Sequence, residues 1–409
     1  MVGVKLGAEE KRRADDSMAE LAKLVQTAGG AVLESAEQEL KHPNAVYLIG
    51  KGKVEEIKKL IIHRDADRGV FDAGLTPVQQ KNLEEEFGVK VLDRTGLILD
   101  IFAQRARSKE GKLQVELAQL SYLLPRLVGQ GRILSRLGGG IGTRGPGETK
   151  LEVDRRKVRD RIVKVKKGLE KVRKVRTSHR KRRGDISCST LSIIGYTNAG
   201  KSTLMNCLSN AGVLVEDKLF STLDPTIRKI KLPSTREILI SDTVGFIDKL
   251  PHQLIAAFKA TFEEVNEADI LLHVMDITHP KVIDHISSVN SALTEIGVSQ
   301  KPIVHILNKI DKLGDVHNII TYWERILDNC VAVSAVTGEG IGDLLHKVDQ
   351  LIPYRLKKIR LRFPAGAGDL ISKVHRGGRV TREEYVGREV IIEAEIDKRL
   401  AQSLKGFSF

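Results

Sequence analysis

Apolar positions follow two rhythms along this chain of 409 residues. Over residues 1–110, short apolar runs alternate with amphipathic stretches. "AVLES", "AVYLIG", "GVFDAG" and "VKVLD" read as strands, and "KVEEIKKLIIHR" and "PVQQKNLEEEFG" as helices,. That alternation predicts a small α/β unit. The rhythm then changes. Leu113, Leu117, Leu120, Leu124 and Leu127 are spaced 4, 3, 4, 3, one face of a helix whose last turn Pro125 threatens,. Val158, Ile162, Val165, Leu169 and Val172 repeat that spacing. Matching seams joined by a loop predict an antiparallel helical hairpin over 111–185. Over 186–356, apolar runs end in glycine-bearing or polar strings, as strands of a buried, mostly parallel sheet do,. Residues 357–409 suggest a small βαββ unit of α+β type.

Composition narrows the class. A hydrophobic content of 41% supports more than one core, and the length suggests several domains,. No apolar run is long enough to span a membrane,. The start, "MVGVKLGAEEKRRADD", has neither the apolar core of a signal peptide nor the acid-poor character of a transit peptide,. Cys188, Cys207 and Cys330 lie far apart and read as isolated, reduced, buried thiols of a cytoplasmic protein,. A peripheral membrane contact stays open.

The formal charge is +14, and it is local. Residues 155–183 hold 16 Lys/Arg against Asp160 and Glu170, so this segment alone carries +14 and the rest sums to zero. Such a stripe is a footprint for nucleic acid or an anionic surface. Before it lies "LGGGIGTRGPGETK", in which Gly140, Gly142 and Gly145 fit a dinucleotide fingerprint. That motif needs a preceding strand, and "LSYLLPRLVGQGRILSRL" reads as helix and coil,. A flexible linker and a hairpin tip that approaches phosphates, helped by Arg132, Arg136 and Arg144, both remain open,.

The nucleotide chemistry is firmer. An apolar strand runs into Gly195-Tyr196-Thr197-Asn198-Ala199-Gly200-Lys201-Ser202, with Thr203 following at a helix start. This is the phosphate-loop context: backbone N–H groups cradle phosphates, Lys201 reaches the β- and γ-phosphates, and Ser202 suits Mg²⁺. "ILISDTVGF" supplies Asp242, Thr243, Val244 and Gly245 on the Mg²⁺ and γ-phosphate side,. "PIVHILNKID" ends in Asn308, Lys309, Ile310 and Asp311. The Asp311 carboxylate can accept the two N–H donors of guanine that adenine lacks,. Ser334, Ala335 and Val336 follow the next strand, where a backbone N–H can read guanine O6. "KLFSTLDPT" carries Phe220, Ser221, Thr222, Leu223 and Asp224, and leaves Thr222 and Thr226 as alternative Mg²⁺ threonines. Phe246 stands where a water-orienting glutamine often does, and a phenyl ring cannot hold water,. GTP and GDP with Mg²⁺ are the expected ligands. Hydrolysis is expected to be slow alone and stimulated by a partner.

These strings, with "VFDAGLTPVQQKNLEEEFGVKVLDRTGLILDIFAQRA", "KLQVELAQLSYLLPRL", "LSRLGGGIGTRGPGETKLEVDRR" and "FSTLDPT", resemble the HflX family of translational GTPases over roughly residues 40–355,. The resemblance implies a P-loop GTPase domain over 186–356 with a mostly parallel sheet and helices on both faces. It also implies a ribosome partner, chiefly the 50S subunit and its 23S rRNA. The N-terminal region would lie near the peptidyl-transferase centre with the glycine loop against RNA, and 70S particles would be dissociated under stress. By motif, Thr222 becomes the Mg²⁺ ligand beside Ser202, and Lys201 and Thr222 the catalytic pair. A non-splitting assembly or hibernation switch and an ATP-dependent RNA remodeller are the alternatives. A monomer suffices. "YLIGKGK", Tyr47 to Lys53, reads as a turn with RNA-facing lysines rather than a second nucleotide loop. Residues 1–30 match no family string, the basic stripe is heavier than the family pattern requires, and the C-terminal unit occurs only in some members.

Overall fold

The computed structural model describes residues 1–6, 8–127, 150–184, 189–209, 219–220, 222–224, 226–248, 259–298, 301–314, 316–352, 357–396 and 398–409. Three sheets organise the described residues. The first is fully parallel, in the order β2-β1-β3-β4, from β1 (Val2–Leu6), β2 (Ala36–Leu40), β3 (Arg68–Phe71) and β4 (Lys90–Asp93). Four helices accompany it: α1 (Ala8–Thr27), α2 (Lys51–Arg64), α3 (Pro77–Phe87) and α4 (Arg94–Arg105). Local chemistry sets their starts. Thr76 and Gln79 form a reciprocal capping box with Pro77 in the first turn, and the Asp93 carboxylate accepts the Gly96 N–H at 2.8 Å,.

Two expected strands are absent. "AVLES" belongs to no strand or helix, and β2 begins one residue later at Ala36. "AVYLIG" is a turn: the Asn44 side chain accepts the N–H groups of Val46 (2.8 Å) and Tyr47 (3.1 Å), and Leu48 adopts φ 67°. That local bonding diverts the backbone from a ladder. The strand β1, unforeseen in the sequence, is central instead. Its Lys5 is held by Asp15 at 3.1 Å and by Glu37.

The hairpin is present as α5 (Lys109–Arg126) and α6 (Lys150–Gly184). Arg161 of α6 pairs with Glu116, and Gly168 lies against Leu113, so the helices run antiparallel. Val165 is buried between them. The leucine seam of α5 is only half-buried, because the face carrying Val115 and Ala118 is the one that fills the main core. Pro125 is accommodated in the last turn, one residue before the helix ends,. The glycine-rich string lies outside the described residues, as do Arg132, Arg136, Arg144 and Cys188. Cys207 and Cys330 are half-buried rather than buried.

The second sheet has the order β10-β9-β8-β5-β7-β6, parallel except for β6. Its strands are β5 (Thr190–Gly195), β6 (Thr226–Lys231), β7 (Glu237–Asp242), β8 (Ile270–Asp276), β9 (Ile303–Asn308) and β10 (Cys330–Val333). The helices are α7 (Lys201–Ser209), α8 (Lys259–Glu267), α9 (Val282–Glu295), α10 (Val316–Glu324) and α11 (Ile341–Leu351). The third sheet is antiparallel, β11 (Lys357–Pro364), β13 (Glu389–Ile396), β12 (Gly378–Val386), with α12 (Gly368–Gly377) and α13 (Lys398–Ser403), so the βαββ order holds.

One apolar cluster crosses between the first two sheets. It joins Met18, Leu21, Ile98, Phe102, Val115 and Ala118 to Tyr196, Phe220, Leu223, Val244, Phe246 and Ile247. Fully burying a Leu, Ile, Val, Phe or Met side chain stabilises a fold by about 1.5–3 kcal/mol, and here that burial is shared between the two layers. The N-terminal helices are therefore packed directly on the loops at the ends of β5 and β7.

Candidate nucleotide site

Strand β5 delivers the chain into Gly195–Ser202, and the glycines are demanded by geometry. Gly195 has φ 148° and Gly200 φ 99°. A Cβ at Gly195 would stand 2.3 Å from the Val274 carbonyl oxygen, and one at Gly200 2.2 Å from Asn308 Nδ2,. The loop is locked to its neighbours by backbone bonds: Phe246 N–H donates to Gly195 O (3.1 Å) and Thr197 N–H to Phe246 O (2.7 Å). Helix α7 then starts at Lys201, its N-terminal N–H groups and dipole suited to an anion,.

Lys201 is buried, and its ammonium donates to Tyr196 O at 2.8 Å. Burial pulls its pKa down to about 8, against the opposing pull of Asp242. Asp242, also buried, accepts Ser202 Oγ (2.8 Å) and Thr222 Oγ1 (2.9 Å) on one oxygen, and those two hydroxyls are 2.9 Å apart. Its other oxygen is buried with no hydrogen-bond partner among the described residues, as is Thr197 Oγ1. Burial raises the Asp242 pKa, with Lys201 and the two hydroxyls opposing. Two hydroxyls on a carboxylate with an unused oxygen form a hard oxygen donor set, and these residues fit Mg²⁺. Thr222 is thus gathered at this point, whereas Thr226 opens β6 and is exposed.

The residues expected to face the base come together from three strand ends. Asn308 spans the site, donating to Ala199 O (2.8 Å) and accepting Ala335 N–H (3.1 Å). Lys309, at φ 70°, donates to Asn198 O (2.9 Å) and Asp276 (2.5 Å). Asp311 accepts Ser334 Oγ at 2.6 Å, and Ser334 in turn takes the Thr337 N–H at 3.1 Å. Ile310 is buried beneath this turn, and Val336 is exposed. Thr203 is half-buried on α7, Thr243 Oγ1 donates to Ile193 O (2.6 Å), and Val244 is core. A Cβ at Gly245 would meet Lys201 Nζ at 2.9 Å, so this backbone lies against the lysine.

The segment around Thr222 departs from expectation. Phe220 and Leu223 are buried in the shared core, with Phe220 edge-on to Phe102 of α4 at 4.8 Å. Asp224, expected beside the nucleotide, binds the start of α5 instead. Its partners lie more than a hundred residues away in sequence, so no local signal could find them. Ser221 lies outside the described residues. The Tyr196 side chain likewise faces the N-terminal helices.

Four family profiles match in order: "GTP-binding GTPase N-terminal" at 15–103, "GTP-binding GTPase Middle Region" at 105–183, "50S ribosome-binding GTPase" at 190–309 and "HflX C-terminal domain" at 323–405. GTPase HflX of Caldanaerobacter subterraneus subsp. tengcongensis is 46% identical, covering 96% of this chain and 90% of that protein. GTPase HflX of Escherichia coli (strain K12) is 44% identical, covering 90% and 86%. The chain belongs to the GTPase HflX family. It is therefore a GTP-binding, GTP-hydrolysing protein of a ribosome-associated family. Among solved structures, a GTP-binding protein from the archaeon Sulfolobus solfataricus in complex with GDP is 28% identical, covering 86% of this chain and 98% of that one, with a TM-score of 0.46. No helix among the described residues of this HflX-family chain is long and apolar enough to cross a membrane.

Proposed function

We propose that this chain uses GTP to control docking of its N-terminal region and basic hairpin on the 50S subunit, against 23S rRNA near the peptidyl-transferase centre, and that docking separates 70S ribosomes under stress. One observation carries the reading. Thr222 meets Ser202 and Asp242, while its neighbours Phe220 and Asp224 grip α4 and the start of α5. The segment that senses the γ-phosphate side of the site is the segment that holds the base of the cationic arm.

The steps follow from the site. Lys201 leaves the Tyr196 carbonyl for the β- and γ-phosphates. Asp311 accepts the guanine N–H donors, Lys309 lays its stem along the base, and Ala335 N–H reads O6. Ser202 and Thr222 would hold Mg²⁺ beside Asp242, and that ion supplies neutralisation of phosphate-oxygen charge. The Phe246 side chain is buried and has no group to orient water, so hydrolysis is slow until a partner completes the site. Loss of the γ-phosphate frees Thr222, and the segment relaxes from α4 and α5.

Light scattering of 70S particles, with pelleting through sucrose, tests this. Scattering should fall with the chain and a non-hydrolysable GTP analogue, and not with GDP. Pelleting with the analogue but unchanged scattering would replace splitting by an assembly or hibernation role. Equal pelleting in every nucleotide state would end the coupling altogether.

A further inference from the structure

The phosphate loop works through backbone N–H groups and asks little of its second residue. Here that residue is Tyr196, which is 7% exposed. Its ring stacks on His285 of α9, 3.8 Å between centroids and 8° from parallel. Its hydroxyl donates to Glu20 of α1 (2.8 Å) and accepts the Asp248 backbone N–H (2.8 Å). The other Glu20 oxygen takes Arg94, which also donates to Asp72 at 2.8 Å. A second clamp, Lys281 with Asp16, fixes α1 across the same cleft.

The segment Asp242–Asp248 is thereby pinned at two points beyond Asp242. Phe246 exchanges backbone bonds with Gly195 and Thr197, and Asp248 hangs on the Tyr196 hydroxyl. Gly245 sits inside the pinned stretch, against Lys201. Burial and Glu20 push the Tyr196 ionisation upward, so the hydroxyl stays a donor throughout the range in which hydrolysis is measured.

We propose that Tyr196 is a positioning residue for GTP hydrolysis: its hydroxyl, held by Glu20 of the N-terminal unit, fixes the segment after Asp242 so that the Gly245 N–H is set for the γ-phosphate. A donor already in place costs no reorganisation when charge develops on the transferring group. Through this relay the docked state of α1 enters the hydrolysis rate without touching nucleotide affinity. The inference rests on Gly195–Ser202 being the phosphate loop, and Lys201→Ala tests that separately: undiminished GTP affinity in that variant would remove the loop assignment itself.

The experiment is single-turnover GTP hydrolysis without ribosomes, alongside GDP affinity from a fluorescent analogue. Tyr196→Phe keeps the stacked ring and deletes the hydroxyl, and Glu20→Gln weakens its acceptor. Each should slow hydrolysis about tenfold, the size of one lost buried hydrogen bond. GDP affinity should stay within about threefold. The double variant should be no slower than the slower single one, since both act through one bond. A wild-type rate in Tyr196→Phe, rate losses that multiply in the double variant, or a loss of GDP affinity matching the loss of rate would each overturn the proposal.

Discussion

The Asp224 carboxylate accepts the backbone N–H groups of Arg107 (2.9 Å) and Ser108 (2.7 Å), closing the N-terminal end of the hairpin's first helix from a position two residues beyond Thr222. A negative group there satisfies orphan donors and meets the positive end of the helix dipole. Ser108 adds its own cap, accepting the Gly111 N–H at 2.8 Å. Asp224→Ala should therefore loosen the first turn of α5 by about 1 kcal/mol, or roughly fivefold faster amide exchange at residues 107–111. GDP affinity should be unaltered, since Asp224 bonds the hairpin and not the loop. Unchanged exchange at those amides would show that the contact carries no coupling.

The basic helix should make ribosome binding steeply salt-dependent, because each neutralised phosphate releases counterions. Lys164, Lys166, Lys167 and Lys171 are exposed along α6 and available for this. Arg173 is less suited to a test, because it pairs with Glu263 of α8 at 2.8 Å and helps fix the helix to the second sheet. Reversing the four lysines to glutamate should weaken pelleting with 50S particles and flatten its dependence on salt. GTP affinity should hold. Parallel loss of both would indicate damage to the fold.

His285 gives the joint a pH response. Burial, then neighbouring His279, holds it at about 4 against an ordinary 6.5, with Asp276, Asp284 and Asp248 opposing. The folded protein thus binds fewer protons than the unfolded chain between those values. Stability is full above pH 6.5 and declines as the pH falls toward 4. His285→Phe retains an aromatic partner for Tyr196 and removes the proton site. Its melting temperature should fall less between pH 6.5 and 4.5 than that of the parent chain. Part of the slope should survive through buried His273, held at about 3 chiefly by burial. An identical slope in the variant would mean that His285 is not the titrating group.

What the sequence disclosed follows the range of the interactions. Lys201, Ser202, Asp242, Asn308 and Asp311 were legible because each sits in a short string whose chemistry is local. The choice between Thr222 and Thr226 was not, since both are hydroxyls flanking one Asp-Pro turn. The ladder takes Thr226 into β6 and leaves Thr222 at 2.9 Å from Asp242, which favours Thr222. "AVYLIG" failed as a strand because the Asn44 side chain captured its backbone donors. β1 went unseen because a short run bearing Gly3 and Lys5 does not look like a central strand until Asp15 and Glu37 neutralise the lysine. The outward uses of Tyr196 and Asp224 depend on partners in another sheet's layer, which periodicity cannot report.

Guanine selectivity offers the most direct check on the base side of the site. Asp311 Oδ1 now accepts the Ser334 hydroxyl at 2.6 Å, and Ser334 is itself ordered by the Thr337 N–H. That arrangement holds the carboxylate in one rotamer with acceptor capacity left for a ligand. Guanine presents two donors to it, and a bound guanine loses the partner of its 2-amino group, and meets a donor there instead, if one of the two carboxylate oxygens becomes an amide NH2. Asp311→Asn should cost GTP about 2–3 kcal/mol, some 30- to 150-fold in affinity, by leaving the 2-amino donor unpaired and facing another donor. Xanthine carries a carbonyl in place of the 2-amino group, and the new amide N–H can donate to it. XDP should therefore bind the variant more tightly than GDP does, reversing the parent order. Competition of fluorescent GDP by GDP, XDP and ADP measures this. If the variant keeps its preference for GDP, Asp311 does not read the base; if ADP gains instead, the pocket selects by shape rather than by these two hydrogen bonds.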